Sequence, residues 1–411
     1  MTEFPDGFLW GAATAGHQIE GNNVNSDWWA REQMMPGMEL SGDAVDSYHR
    51  YREDISLLAG SGLDSYRFSL EWARIEPVRG SFSRAELAHY RRVIEFCFEN
   101  GVTPVVTLQH FTTPNWFAQA GGWDAPEALD LFSAFVERAC DILDGVEWVV
   151  TINEPNMQAA IMTAMRRLQS GGGSWTSPTV EAEGDREEKQ THSDFLTYAD
   201  PEIGRTFTRI HHAARDIVRR RTSAKVGWTI AAGALTAAPG GERKLEEIRY
   251  GKEDVYWEGS REDDFVGVQA YSSQQVDANG LVPHPSAPDN TLVGTAFRPD
   301  ALAMAVRHAW KVSEHTPIMV TENGIATADD TERIRYTYEA LRGLAQVIDE
   351  GIDVRGYLHW SLLDNFEWGH WEPTFGLIAV DRDDFTRHPK PSLAWLGSVA
   401  QRNALAQAVT A

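Results

Sequence analysis

Two glutamates, Glu154 and Glu322, stand where carboxylates can do chemistry. Glu154 closes an apolar run and precedes Pro155, a neighbour expected to hold it in extended geometry and to open the following helix. Glu322 closes the run Pro317-Ile318-Met319-Val320-Thr321 and precedes Asn323-Gly324, where glycine permits a tight turn. Two carboxyls facing one pocket can divide proton transfer from nucleophilic attack. That division cleaves glycosidic bonds: one carboxyl protonates the leaving oxygen, and the other attacks the anomeric carbon to give a covalent glycosyl-enzyme. The separation that distinguishes retention (about 5–5.5 Å) from inversion (about 6.5–9.5 Å) is not written in a sequence. A single glutamate at a strand end serves equally well in a salt bridge.

Such residues need a scaffold that brings them together. Short apolar runs recur at 8–13, 65–72, 103–110, 147–154, 225–231, 264–271, 317–322 and 354–363. Several are rich in Val, Ile, Phe, Tyr, Trp and Thr without strict alternation, as expected of strands buried on both faces. Helical periods lie between them. Tyr48, Tyr51, Ile55 and Leu58 share one face, as do Leu87, Tyr90, Ile94 and Cys97. Further helical segments cover about 126–143, 205–221, 299–314, 330–350 and 391–407, with a weaker one near 242–251. Eight strands alternating with helices predict a parallel sheet with right-handed crossovers. Closure gives an α/β fold of the (β/α)8 TIM-barrel type, with an open doubly wound sheet as the alternative. The expected organisation is one catalytic barrel over 1–411, interrupted at about 169–201 by a long loop after strand 4 that holds Gly171-Gly172-Gly173 and a charged run.

Active sites of such barrels gather at the C-terminal ends of the strands. Strand 1 leads to His17, Gln18 and Glu20, and strand 2 holds Arg67 and leads to Glu71. Strand 3 ends in Gln109-His110, strand 4 in Asn153-Glu154, and strand 6 in Gln269 and Tyr271. Strand 7 ends in Glu322-Asn323 and strand 8 in Trp360 and Asp364. Only strand 5 contributes nothing of the kind.

Composition narrows the partners. A net charge of −23 repels phosphate backbones and anionic lipid, so neither nucleic acid nor membrane is expected. No run of 18 apolar residues offers a membrane span, and residues 1–5 have no leader-like pattern, which points to the cytoplasm. The two cysteines, Cys97 and Cys140, fall in helical segments and read as buried free thiols. Most of the 15 tryptophans are expected in the core, a few on a sugar site. His211-His212 is no metal pair, because adjacent helical positions point apart.

The motifs Thr151-Ile152-Asn153-Glu154-Pro155 and Val320-Thr321-Glu322-Asn323-Gly324 resemble those of glycoside hydrolase family 1, the β-glucosidase-like family. So do the segment from Gly11 to Gly21, Tyr48-His49-Arg50-Tyr51, Tyr66-Arg67-Phe68-Ser69 and the segment from Trp360 to Trp368. The resemblance runs in order from about Phe4 to about Leu396. It implies that Glu154 is the acid/base and Glu322 the nucleophile of a retaining β-D-glucosidase. Arg67 and Tyr271 would contact Glu322 and keep it ionised, since a cation and a hydrogen-bond donor both favour a carboxylate. Asn153 would bind the sugar 2-hydroxyl. Gln18, His110, Glu367 and Trp368 would hold the 3-, 4- and 6-hydroxyls, and Trp360 would stack beneath the ring. The substrate would be a small β-glycoside or oligosaccharide, with β-galactosides and β-fucosides as side substrates, and neither metal nor cofactor is called for.

The sequence also departs from the family. Gln269-Ala270-Tyr271 replaces Asn-Tyr-Tyr, and His110-Phe111-Thr112-Thr113-Pro114 replaces His-Trp-Asp-Leu-Pro. The segment after Trp368 is shortened, and the Gly-Tyr-rich segment after strand 4 is absent. These changes fall around the sugar 6-position and the aglycone. Glu367 disfavours 6-phosphosugars, and Glu154 disfavours thioglucosides. Transglycosylation uses the same residues as hydrolysis. A non-catalytic sugar-binding barrel is the alternative from another class.

Overall fold

The computed structural model describes residues 2–169 and 199–406. The eight barrel strands are β1 (Leu9–Ala13), β2 (Ser65–Ser69), β3 (Thr103–His110), β4 (Trp148–Asn153), β5 (Lys225–Ala231), β6 (Val266–Gln269), β7 (Ile318–Glu322) and β8 (Val354–Trp360). Each pairs in parallel with its neighbours in sequence, and β8 closes on β1 from Gly356 opposite Leu9 to Trp360 opposite Ala13. The expected barrel is present, and the open sheet is excluded.

The described connections carry the helices. Besides a few short ones, they are α1 (Ser47–Ser61), α2 (Arg84–Glu99), α3 (Ala128–Ala139), α4 (Pro155–Gln169), α5 (Pro201–Arg221), α6 (Glu242–Arg249), α7 (Val255–Gly259), α8 (Ala301–Val312), α9 (Asp330–Asp349) and α10 (Pro391–Arg402). Their starts follow local chemistry. Asp200 caps α5 by accepting from the Glu202 N–H at 2.9 Å, with Pro201 at the first helical position. Asp329 caps α9 by accepting from Thr331 at 2.8 Å. The weak helical period near 242–251 is α6, which runs through a wider turn at Tyr250–Asp254 into α7. The long loop expected at about 169–201 falls, from 170 to 198, outside the described residues.

Two apolar layers hold the fold. One lies between the strands and the helices and includes Ile55, Leu58, Tyr90, Ile94 and Cys97. The other fills the barrel with Val105, Trp148, Val150, Phe265, Met319 and Leu358. Strands covered on both sides need no alternation, which is why their sequences show none. Trp10, Trp72, Trp228 and Trp257 are fully buried. Cys97 and Cys140 are buried free thiols. No helix among the described residues is long and apolar enough to cross a membrane.

Candidate active site

A cavity of about 490 Å³ opens at the C-terminal ends of the strands. Glu154, Glu322, His110, Tyr271, Trp360, Glu367 and Trp368 line it. The remaining expected residues lie directly behind. Gln18 Nε2 donates to Glu367 Oε2 at 3.0 Å. Arg67 Nη1 donates to Glu322 Oε1 at 2.6 Å, and Asn153 Nδ2 lies 3.2 Å from His110 Nε2. All of the site residues named from the sequence therefore meet at one place.

Local backbone geometry sets the first glutamate. Glu154 has a φ of 43°, in the left-handed region, and not the extended conformation expected before proline. Its N–H donates to Thr229 O at 2.9 Å, while its carbonyl accepts from Met157 and Gln158 at 3.0 and 3.1 Å. The end of β4 and the start of α4 are thus both satisfied through one residue, and this pairing outweighs the local preference. Phe111 (φ 62°) and Trp368 (φ 46°) are left-handed as well, so bulky residues in a disfavoured conformation cluster at the cavity. Gly324 is required for a different reason from the one expected. Its φ is not positive, but a Cβ there would sit 2.0 Å from the Trp360 carbonyl oxygen. The glycine lets the strand-7 end approach the strand-8 end.

The two glutamates differ in their partners. Glu322 accepts from Arg67 on one oxygen and from the Tyr271 hydroxyl, at 2.5 Å, on the other. Burial pushes its carboxyl up, and the Arg67 charge and the Tyr271 hydrogen bond pull it back. The Glu154 carboxyl has no hydrogen bond or ion pair among the described residues. Burial, and next the negative charge of Glu322, push it well above the usual carboxylate range, with Arg67 opposing. Glu154 therefore holds its proton to higher pH than Glu322 does. Glu367 is pushed up to about 8 by burial and by Glu322.

The floor of the cavity is aromatic. Trp360 lies 5.9 Å from His110 with 17° between ring planes, and His110 lies 6.1 Å from Trp368 at 12°. Trp368 in turn lies 5.9 Å from His17 at 12°. Burial holds His110 well below its ordinary value, so its ring is neutral. Asn153 is locked from below. Its Oδ1 accepts from Arg67 Nη2 at 2.5 Å, Thr229 Oγ1 at 2.9 Å and Gln269 Nε2 at 2.9 Å. Gln18 Oε1 and His110 Nδ1 are buried and have no partner among the described residues, which suits a polar ligand.

The family model described as glycosyl hydrolase family 1 matches residues 1–202 and 259–405. The chain belongs to glycosyl hydrolase family 1. As a member it is a glycoside hydrolase, and the non-catalytic reading falls away. It is 31% identical over 469 aligned positions to the thermostable β-glucosidase B of Thermobispora bispora, covering 98% of this chain and 91% of that protein. The alignment is longer than the chain, so this family 1 relative carries segments absent here. A crystal structure of β-glycosidase BGL167 superposes with a TM-score of 0.84 at 43% identity, covering 98% of this chain and 99% of that one. The β-glucosidase of Thermotoga maritima in complex with deoxynojirimycin superposes with a TM-score of 0.82 at 26% identity, covering 99% of this chain and 100% of that one.

Some residues at this family 1 site escape a reading of sequence. Thr229 belongs to β5, the one strand that offered no polar end, and it touches Asn153 from mid-strand. Thr107, likewise inside an apolar run, accepts from Arg67 Nε at 3.0 Å. A threonine within a run of strand formers is the only signal either one leaves. Conversely, several polar strand ends stay out of the cavity. Asp364 pairs with Lys390 at 2.7 Å, Gln109 bonds Gln158 at 3.0 Å, and Glu20 pairs with Arg74 at 2.8 Å. His211 is held by Thr151 and Asp263, and His212 by the Gly259 carbonyl, so the two rings serve separate partners.

Proposed function

We propose that this family 1 protein hydrolyses β-D-glucosides with retention of configuration, with Glu154 as acid/base and Glu322 as nucleophile. The observation that carries the reading is the unequal treatment of the two carboxyls. One is clamped by a guanidinium and a phenol, and the other is buried beside a negative charge without a partner. In the first step a Glu322 oxygen bonds to the anomeric carbon, the glycosidic bond breaks, and the Glu154 proton goes to the departing oxygen. Glu322 is then a neutral ester. The charge that raised Glu154 is gone, so Glu154 becomes a better acid and stays ionised. It takes a proton from water, whose oxygen bonds to the anomeric carbon as the ester bond breaks and Glu322 regains its charge.

Asn153 is proposed to bind the 2-hydroxyl, Trp360 to stack beneath the ring, and His110, Trp368, Gln18 and Glu367 to hold the remaining hydroxyls. One barrel carries this entire reading, and no metal or cofactor enters it. Galactosides and fucosides differ from glucosides at C4 and C6, where Gln18 and Glu367 would act, and are proposed as weaker substrates. The test is a panel of p-nitrophenyl β-glycosides (glucoside, galactoside, fucoside, xyloside, 6-phosphoglucoside) with the glucoside reaction followed by NMR. The expected result is fastest cleavage of the glucoside and first appearance of β-glucose. First appearance of α-glucose, or no cleavage of the glucoside, overturns the reading.

A further inference from the structure

Resting on the roles just proposed for Glu154 and Glu322, the same cavity also specifies what the leaving group must be. Glu154 hands its proton to the departing oxygen, so the aglycone lies beside Glu154. Helix α4 starts there and places Met157 and Ile161 one turn apart on a single face, and both line the cavity together with Glu154. Val293, Ile325 and Phe375 also line it. Ile325 and Phe375 are buried, and Phe375 packs on Tyr271 with ring centroids 5.8 Å apart. The loop that carries Val293 is tied to the end of β7 by the Leu292 N–H, which donates to Ala326 O at 3.0 Å.

The threonines on this side face each other. Thr291 and Thr295 line the cavity, but their hydroxyls bond each other at 2.8 Å, and the Thr295 N–H adds a bond to Thr291 Oγ1 at 3.2 Å. Arg31 also lines the cavity, on the helix Asp27–Glu32 that follows β1, and lies 4.7 Å from the Trp28 ring. A second sugar placed against Met157, Ile161, Val293 and Ile325 would bring hydroxyls to side chains that carry no N–H or O–H, and burying unpaired hydroxyls is unfavourable. A hydrocarbon chain or an aryl ring has no such requirement and gains from each apolar contact.

We infer that the aglycone is an apolar alcohol or phenol, bound between Met157 and Ile161 on one side and Val293 and Ile325 on the other, and that β-linked disaccharides are poor substrates. The test is kcat/KM for methyl, butyl, hexyl and octyl β-D-glucosides below their micellar concentrations, with cellobiose alongside and p-nitrophenyl β-D-glucoside as the reference. Butanol, hexanol and octanol are equally poor leaving groups, so a trend among their glucosides reports contact and not bond strength. The expected result is a rise of about threefold per methylene until the cavity is filled, with the octyl glucoside ahead of cellobiose by about tenfold or more. Ile161→Asn and Val293→Asn, one on each wall, should each lower the octyl-to-methyl ratio. A flat alkyl series, cellobiose ahead of octyl glucoside, or a ratio unmoved in both variants overturns the inference while leaving glucoside hydrolysis in place. Failure to cleave p-nitrophenyl β-D-glucoside would instead remove the underlying reading of the catalytic pair.

Discussion

Arg67 and Arg387 both have fully buried guanidinium side chains paired with buried carboxylates, yet the two are built differently. Arg387 grips Asp54 with two bonds of 2.8 and 3.1 Å and donates to Phe385 O at 2.7 Å, while Asp54 also accepts from Ser47 at 2.7 Å. All three guanidinium nitrogens and both carboxylate oxygens have partners. Arg67 instead spreads over three strands, reaching Thr107 on β3, Asn153 on β4 and Glu322 on β7. It gives Glu322 one close bond on one oxygen, and Tyr271 supplies the other. A pair built for stability closes on itself. The pair at the active site stays open toward the cavity, so that a carboxylate oxygen can reach a carbon.

The contrast can be broken from either side. The largest effects belong to the catalytic pair. Glu322→Gly should lower kcat/KM for glucosides by about 10⁴-fold or more, because no nucleophile remains. Glu154→Ala should cost about 10²–10⁴-fold on alkyl glucosides and far less in the glycosylation step with p-nitrophenyl glucoside, whose leaving group needs little protonation. Equal losses on both substrates would take acid catalysis away from Glu154. Tyr271→Phe should be milder, about tenfold in kcat/KM, as expected for one hydrogen bond to a charged group. It also carries a sign. The phenol lowers the Glu322 carboxyl, so its loss raises that carboxyl and moves the acid limb of the pH–rate profile to higher pH. An acid limb that moves down, or does not move, would show that Tyr271 does not stabilise the ionised form.

The smallest effect on catalysis should come from the closed pair. Arg387→Met leaves Asp54 buried and unpaired, at a cost of about 3–5 kcal/mol in urea unfolding. The kcat/KM of the molecules that remain folded should match the parent. Adding Asp54→Leu should recover much of the stability, because two apolar groups of similar volume replace two buried charges. Loss of turnover in the folded fraction would mean that the two arginines are not as separate as their contacts indicate.

The barrel is legible because burial on both faces leaves long apolar runs, but the runs extend past the strands. The segment 65–72 contains a strand of Ser65–Ser69, and 354–363 one of Val354–Trp360. Leu70, Trp72, Leu362 and Leu363 stay buried beyond the last strand residues, Ser69 and Trp360. Apolar composition reports burial and not pairing. At the site, Glu154 and Glu322 were visible because they end their strands. Thr229 was not, because its role depends on the register that sets it opposite Asn153 across β4 and β5. The left-handed turn at Glu154 was hidden for a similar reason: the bonds that hold it come from β5 and α4 together.

The locked amide of Asn153 has an effect one residue further on. With Oδ1 occupied by donors from Arg67, Thr229 and Gln269, the amide must present its N–H₂ to His110. A neutral imidazole facing a donor answers with its lone pair, so Nε2 is bare and the ring proton sits on Nδ1. Of the two neutral tautomers, only one fits. Nδ1 is buried and without a partner among the described residues, and so holds its N–H ready for an oxygen. The address of a single proton is thus inherited, through one amide, from the hydrogen-bond register of four barrel strands, and an arriving hydroxyl meets a donor that was oriented when the chain folded.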